Sequence, residues 1–167
     1  ETIKTTLFYR LTDDEWEEEI REDLENLQLI GIEIESVTSD GGNNIIKAVK
    51  KACPNAIRQR CLAHIQRECL TWITKHPQSE AGRELRKIVC MICLIKTHND
   101  KLQWISDFKN WSEKYKDYLN EKTFKEESHR EWYTHKMVRR AYVHIKKALP
   151  DMFHFLDNPK CLKLLMH

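Results

Sequence analysis

Asp40, in the run Ser36-Val37-Thr38-Ser39-Asp40-Gly41-Gly42, is the first residue of this sequence placed to do chemistry. A strand that runs out into Asp-Gly-Gly presents a carboxylate at its carboxyl end, where open sheets put ligand-facing groups. Such a carboxylate can hold a divalent cation, but a hard cation needs further oxygen ligands. Asp-Gly is equally ordinary turn chemistry after a strand, so Asp40 alone leaves both readings open. Cys61-x-x-His64 follows in QRCLAH. Together with Cys90-x-x-Cys93 it could complete a four-ligand zinc set. Cys90 and Cys93 sit in the apolar helical run RKIVCMICLIK, however, where cysteine behaves as a small core residue, and zinc is not expected. A Cys61 nucleophile with His64 as its base would need hydrogen-bonding reach and an oxyanion site, and only proximity supports it. Lys136, Arg139, Arg140, His144, Lys146 and Lys147 form the densest basic segment. Exposed Lys and Arg there could neutralise a nucleic-acid backbone, or simply form the outer face of an amphipathic helix.

These residues need elements to position them. IKTTLFYR, residues 3–10, reads as a strand. A helix is expected from Thr12, with Glu15 completing a capping box and Trp16, Ile20, Leu24 and Leu27 making one apolar stripe up to Gly31. A strand over Ile32 to Thr38 leads to Asp40. Asn43 or Asn44 then caps a helix bearing Ile45, Ile46, Ala48, Val49 and Ala52, closed by Pro54. Ala56 to Leu62 reads as another strand, parallel to the one before it. Beyond His64 strands disappear and helices are expected over 65–76, 79–98, 101–120 and 129–148. Pro77, Asn99-Asp100 and the polar 121–128 stretch act as breaks. A short helix after Pro150 turns Phe153 and Leu156 inward. Trp104, Phe108, Trp111 and Tyr115 recur at helical steps, which predicts packing before base stacking.

Composition bounds the function. The chain has 167 residues, with 28 Lys+Arg against 26 Asp+Glu and a net charge of +2. Residues 1–40 hold 13 of the acidic and 3 of the basic residues, leaving 13 acidic and 25 basic in the remainder. That asymmetry suits a basic body lying against a polyanion. No apolar run approaches the roughly 18–20 residues of a membrane span, so no membrane partner is expected. Six cysteines, mostly in apolar segments, read as reduced intracellular thiols. The first residue is Glu1 rather than Met, which reads as a piece of something longer.

The strand-Thr-Ser-Asp-Gly-Gly block, the alanine-containing helix, Pro54 and Gln59-Arg60-Cys61-x-x-His64-x-x-Arg67 together resemble the Mutator superfamily of DNA transposases. That group includes bacterial insertion-sequence enzymes and the MULE domain of eukaryotic elements. RRAYVHIKKALPDMFHFLDNP, residues 139–159, resembles the segment before the last catalytic glutamate of those enzymes. The resemblance implies an α/β fold: a partial ribonuclease H-like sheet, its first strand missing, in residues 1–64, then a large all-helical insertion over 65–167. It implies two divalent cations, Mg2+ or Mn2+, held by an Asp, Asp, Glu triad that cleaves a phosphodiester and transfers the strand. Asp40 matches the second aspartate and Cys61 and His64 the Cys-x-x-His signature, as site-supporting residues. Arg60, Arg67, Lys136, Arg139, Arg140, Lys146 and Lys147 are candidate DNA contacts, with transposon ends and target DNA as partners.

The departures matter equally. A first aspartate is expected on a strand before residue 3. The family's Thr-Thr-Asn-x-x-Glu is replaced by Lys163-Leu164-Leu165-Met166-His167, which suitable codons would turn into Thr-Thr-Asn-Ala by a one-base shift. A frameshifted or cut chain without activity of its own is therefore expected. Glu121, Glu126, Glu127 and Glu131 are the acidic residues available to replace the missing glutamate. Two rival classes stand beside the transposase: a non-catalytic DNA- or protein-binding module of transposase origin, and an intracellular zinc-binding interaction domain. A missing first strand would leave a sheet edge open to self-association. The expected compartment is intracellular, the nucleoid or cytoplasm of a bacterium or the nucleus of a eukaryote.

Overall fold

The computed structural model describes residues 6–7, 11, 13–14, 16–126, 129–158 and 161. The expected strand at 3–10, the capping pair Thr12 and Glu15, Glu127 and the last six residues lie outside the described residues, wholly or in their deciding part. The chain forms two compact units, residues 1–34 with 42–56, and residues 35–41 with 57–167.

In the first unit α1 (Glu17–Leu29) packs against α2 (Asn43–Ala52). Helix α1 begins later than the expected Thr12, with Trp16 at its N-cap and Glu17, Glu18 and Glu19 in the first turn, where the helix dipole favours negative charge. Trp16 consequently drops out of the apolar stripe and is 57% exposed. The stop falls where Gly31 predicts it. Gly31 has φ +89°, its N–H donates to Gln28 O at 2.9 Å, and Ile32 N–H donates to Leu27 O at 3.0 Å. These are the two bonds of a Schellman end. The expected strand from Ile32 is shortened to Ser36–Ser39, because Ile32 spends its N–H on the helix stop. Gly42, not Asn43 or Asn44, is the N-cap of α2, which buries Ala48 and Val49.

The second unit holds the parallel pair β1 (Ser36–Ser39) and β2 (Ile57–Arg60), in register from Ser36 opposite Ile57 to Ser39 opposite Arg60. Its core is helical: α3 (Leu62–Ile73), α4 (Glu80–Met91), α5 (His98–Lys114), α6 (Lys116–Asn120), α7 (Lys136–Ala148) and α8 (His154–Asp157). Leu62, Ile65, Leu85, Ile92, Ile145 and Met152 are its largest fully buried side chains. Trp104, Phe108 and Trp111 stack at 5.5 and 6.2 Å between ring centroids, buried as the helical spacing predicts. Their helix is anchored to α4 by two indole bonds, Trp104 Nε1 to Ile88 O at 2.9 Å and Trp111 Nε1 to Ala81 O at 3.0 Å.

Three expectations are corrected here. Asn99-Asp100 is not a break: Thr97 caps α5 and Asp100 closes a reciprocal capping box within its first turn. Helix α3 starts at Leu62, so the Cys-x-x-His step lies on a helix start rather than before one. The region after His64 is not all-helical. Lys122–Lys125 (β3) and Arg130–Tyr133 (β4) form an antiparallel hairpin where a polar break and the start of a helix were expected. Phe124, Trp132 and Tyr133 favour strand, and α7 begins only at Lys136. The fold is therefore mixed α/β and mostly helical, with two two-stranded sheets among the described residues.

Candidate active site

Because β1 and β2 are parallel and in register, their carboxyl ends emerge together. Asp40 leaves β1 and Cys61 leaves β2, and Cys61 N–H extends the ladder to Ser39 O at 2.7 Å. Cys61 is the N-cap of α3 and His64 its third residue. The spacing of the Cys-x-x-His step is thus the spacing from a helix cap to the exit of its first turn. His64 Nδ1 lies 3.0 Å from an Arg67 guanidinium nitrogen, and its Nε2 lies 3.6 Å from Glu68.

Arg60 ends β2 and lies over Gly41. A Cβ on Gly41 would overlap the Arg60 guanidinium, and Gly41 has φ +82°. The absence of bulk beside Asp40 therefore accommodates an arginine of this chain. Burial pushes the Arg60 pKa down, while the carboxylates of Asp40, Asp151 and Glu68 push it back up. An arginine remains charged under these influences. Gly41→Ala combines a left-handed backbone, costing about 1–2 kcal/mol, with displacement of that guanidinium. It is expected to cost about 2 kcal/mol or more in urea unfolding; an unchanged midpoint would contradict the packing.

Gln59, quoted within the motif but not assigned a role by its type, is the polar keystone behind the site. It is 2% exposed. Its Nε2 donates to Arg60 O and Met152 O, both at 2.7 Å, and its Oε1 accepts from Phe155 N–H at 3.2 Å. One side chain thereby ties β2 to the segment 149–157 that follows α7, and this brings Asp151 near Arg60. A buried strand glutamine between two arginines has no periodicity that announces it.

His144 of α7 faces the same region. Burial, first, and then Arg60 lower its pKa, with His64 and Arg140 adding to the effect and Glu68 opposing it. The folded chain therefore binds this proton less readily than the unfolded one. Stability from this residue is full above about pH 6.5 and falls as pH drops through that value towards the lowered one. Acidification from pH 7.5 to 5.5 should lower Tm, and less so in His144→Gln; equal slopes would contradict it.

Arg67, Lys136, Arg140, Lys146 and Lys147 are exposed. Arg139 serves structure: its guanidinium donates to Leu119 O at 2.8 Å and Asn120 Oδ1 at 3.1 Å and lies 3.6 Å from the Tyr133 ring centroid. Glu121 and Glu131 belong to the hairpin region, paired with His135 and Lys122. Glu126 is exposed at the end of β3.

Among the described residues no group of three or more His, Cys, Asp or Glu side chains could hold a metal ion. Asp40 thus lacks a carboxylate shell there, and Cys61, His64, Cys90 and Cys93 do not converge as a zinc set. The described side chains do not by themselves fit a two-cation centre. No helix among the described residues is long and apolar enough to cross a membrane.

The family model described as "Transposase, Mutator family" matches residues 2–167. No curated protein and no solved structure matches the chain.

Proposed function

Since the chain belongs to the Mutator family of transposases, we propose that it forms the part of a DNA transposase that presents the second catalytic aspartate, Asp40, beside the DNA. Membership implies DNA as the partner and metal-dependent chemistry in general terms. The finer reading is a ribonuclease H-like core in residues 1–64 and an insertion over 65–167. Its site uses an Asp, Asp, Glu constellation and Mg2+ or Mn2+ to cleave and rejoin phosphodiesters at transposon ends and target. The observation that carries this reading is the pair of parallel strands whose ends bring Asp40 together with Arg60 and Cys61.

Because the described residues do not complete a metal shell, the role derived for this chain is positional. The β1–β2 ladder sets where Asp40 leaves the sheet. Arg60 lies over Gly41 and supplies a positive charge beside the Asp40 carboxylate. Cys61 and His64 start α3 at that edge and support the site. Gln59 holds the 149–157 segment against β2, the place from which a third carboxylate would approach. Asp40 alone should hold Mg2+ weakly, since a hard cation takes six or so oxygens. Self-association and an intracellular setting accompany the reading.

The gene on both sides of this coding stretch tests the constellation. An upstream strand bearing an aspartate and a downstream Thr-Thr-Asn-x-x-Glu, in any frame, are the expected finding. If neither is present, catalysis by this lineage falls and the second reading leads. That reading is a DNA-binding module of transposase origin without cleavage, and the incomplete carboxylate set is the observation in its favour.

A further inference from the structure

We propose that the seam between α3 and α7 is a phosphodiester-backbone track that leads one DNA strand to Asp40. The proposal rests on the transposase reading for its partner and goes beyond it in naming the surface. Helices α3 and α7 pack together. Helix α7 has no Asp or Glu, and its Arg140, His144 and Lys147 recur at steps of four and three along one side, with Lys146 off that side. Its side that meets α3 is organised around an aromatic ring. Arg140 lies 4.4 Å from the Trp72 ring centroid, and His144 meets the same ring edge-on at 5.2 Å. Towards Asp40 come His64, bonded to Arg67, and then Arg60.

Two buried nitrogens in this line have no hydrogen-bond partner, Arg60 Nε and His144 Nε2. A buried unpaired polar atom is costly; Arg60 Nε–H is a donor that an anionic oxygen or a water admitted with it would satisfy, while His144 Nε2 donates or accepts according to its tautomer. Glu68 of α3 is held 3.6 Å from His64, and the carboxylates of Asp40 and Asp151 lie at the Arg60 end of the line. The 12 residues of α3 rise about 18 Å at 1.5 Å each, equal to about five base-pair steps of 3.4 Å measured along a duplex axis. Phosphate contacts position a strand without reading its sequence.

Neighbouring lysines of equal charge separate this seam from a merely basic helix. Lys147 projects towards the Arg140 side of α7. Lys146, about 100° away around the helix, lies on a different flank, over Tyr142 and 5.7 Å from its ring centroid. Binding of the whole chain to a labelled 20-base-pair duplex of arbitrary sequence is measured by anisotropy across 50–200 mM NaCl. Lys147→Gln with Arg140→Gln should weaken binding about three- to tenfold and lower the salt slope by about 1.8, roughly 0.9 per phosphate lost. Lys146→Gln should leave both within error, and Lys147→Gln alone, an exposed change, should lower the slope by about 0.9 if the double variant folds poorly. Equal losses from Lys146 and Lys147 would overturn the seam, as would wild-type binding that shows no salt dependence, or binding only to an acidic peptide. Asp40→Asn should leave this binding intact, so a failure of cleavage and a failure of the seam are read separately.

Discussion

Gln59→Leu should lower the unfolding free energy by about 3–6 kcal/mol, a large part of the roughly 5–15 kcal/mol available to a domain. The leucine fills similar space but abandons three backbone groups: the carbonyls of Arg60 and Met152 and the N–H of Phe155. Each buried group left unpaired costs about 1–3 kcal/mol, and local relaxation recovers some of that. The damage should be directional. Residues 149–157 lose their tie to β2, so their amides should gain hydrogen exchange before those of α4 and α5. A urea midpoint within about 1 kcal/mol of wild type would show that water or neighbouring groups replace the glutamine.

Asp40→Asn is the second large effect, and it falls on chemistry rather than stability. Asparagine keeps the size and hydrogen-bonding capacity of the side chain and removes the charge. On the proposed role of Asp40 as a cation-binding carboxylate, DNA cleavage should drop about 1,000-fold or more, beyond the 100- to 1,000-fold typical of losing one preorganised electrostatic group. The same change removes one of the carboxylates that offset the burial of Arg60. The fold should survive it, because Asp151 and Glu68 also act on that guanidinium.

Much of this arrangement was legible in the sequence, for identifiable reasons. Gly31 announced a left-handed helix stop because few residues other than glycine adopt that backbone. The aromatic steps from Trp104 to Trp111 announced a buried stripe, because helix periodicity and burial coincide there. Asp40 was visible as a strand-end carboxylate. What lay beside Gly41 was not, since the partner, Arg60, comes from 19 residues further on and only the parallel register brings it back. The β3–β4 hairpin was hidden because its strands carry charges on exposed positions and bury little. Gln59 was hidden for the opposite reason: a buried polar residue breaks the pattern by which buried residues are recognised.

The measurement that bears most directly on Asp40 is DNA strand cleavage by the longest polypeptide the gene encodes around these residues, wild type beside Asp40→Asn. Both proteins are matched for thermal stability and for salt-dependent DNA binding, and assayed with Mg2+ and with Mn2+. Wild-type cleavage, unchanged binding by the variant, and variant cleavage at background with either cation are the expected results. An Asp40→Asn protein that cuts DNA within a few-fold of wild type would remove Asp40 from the catalytic site.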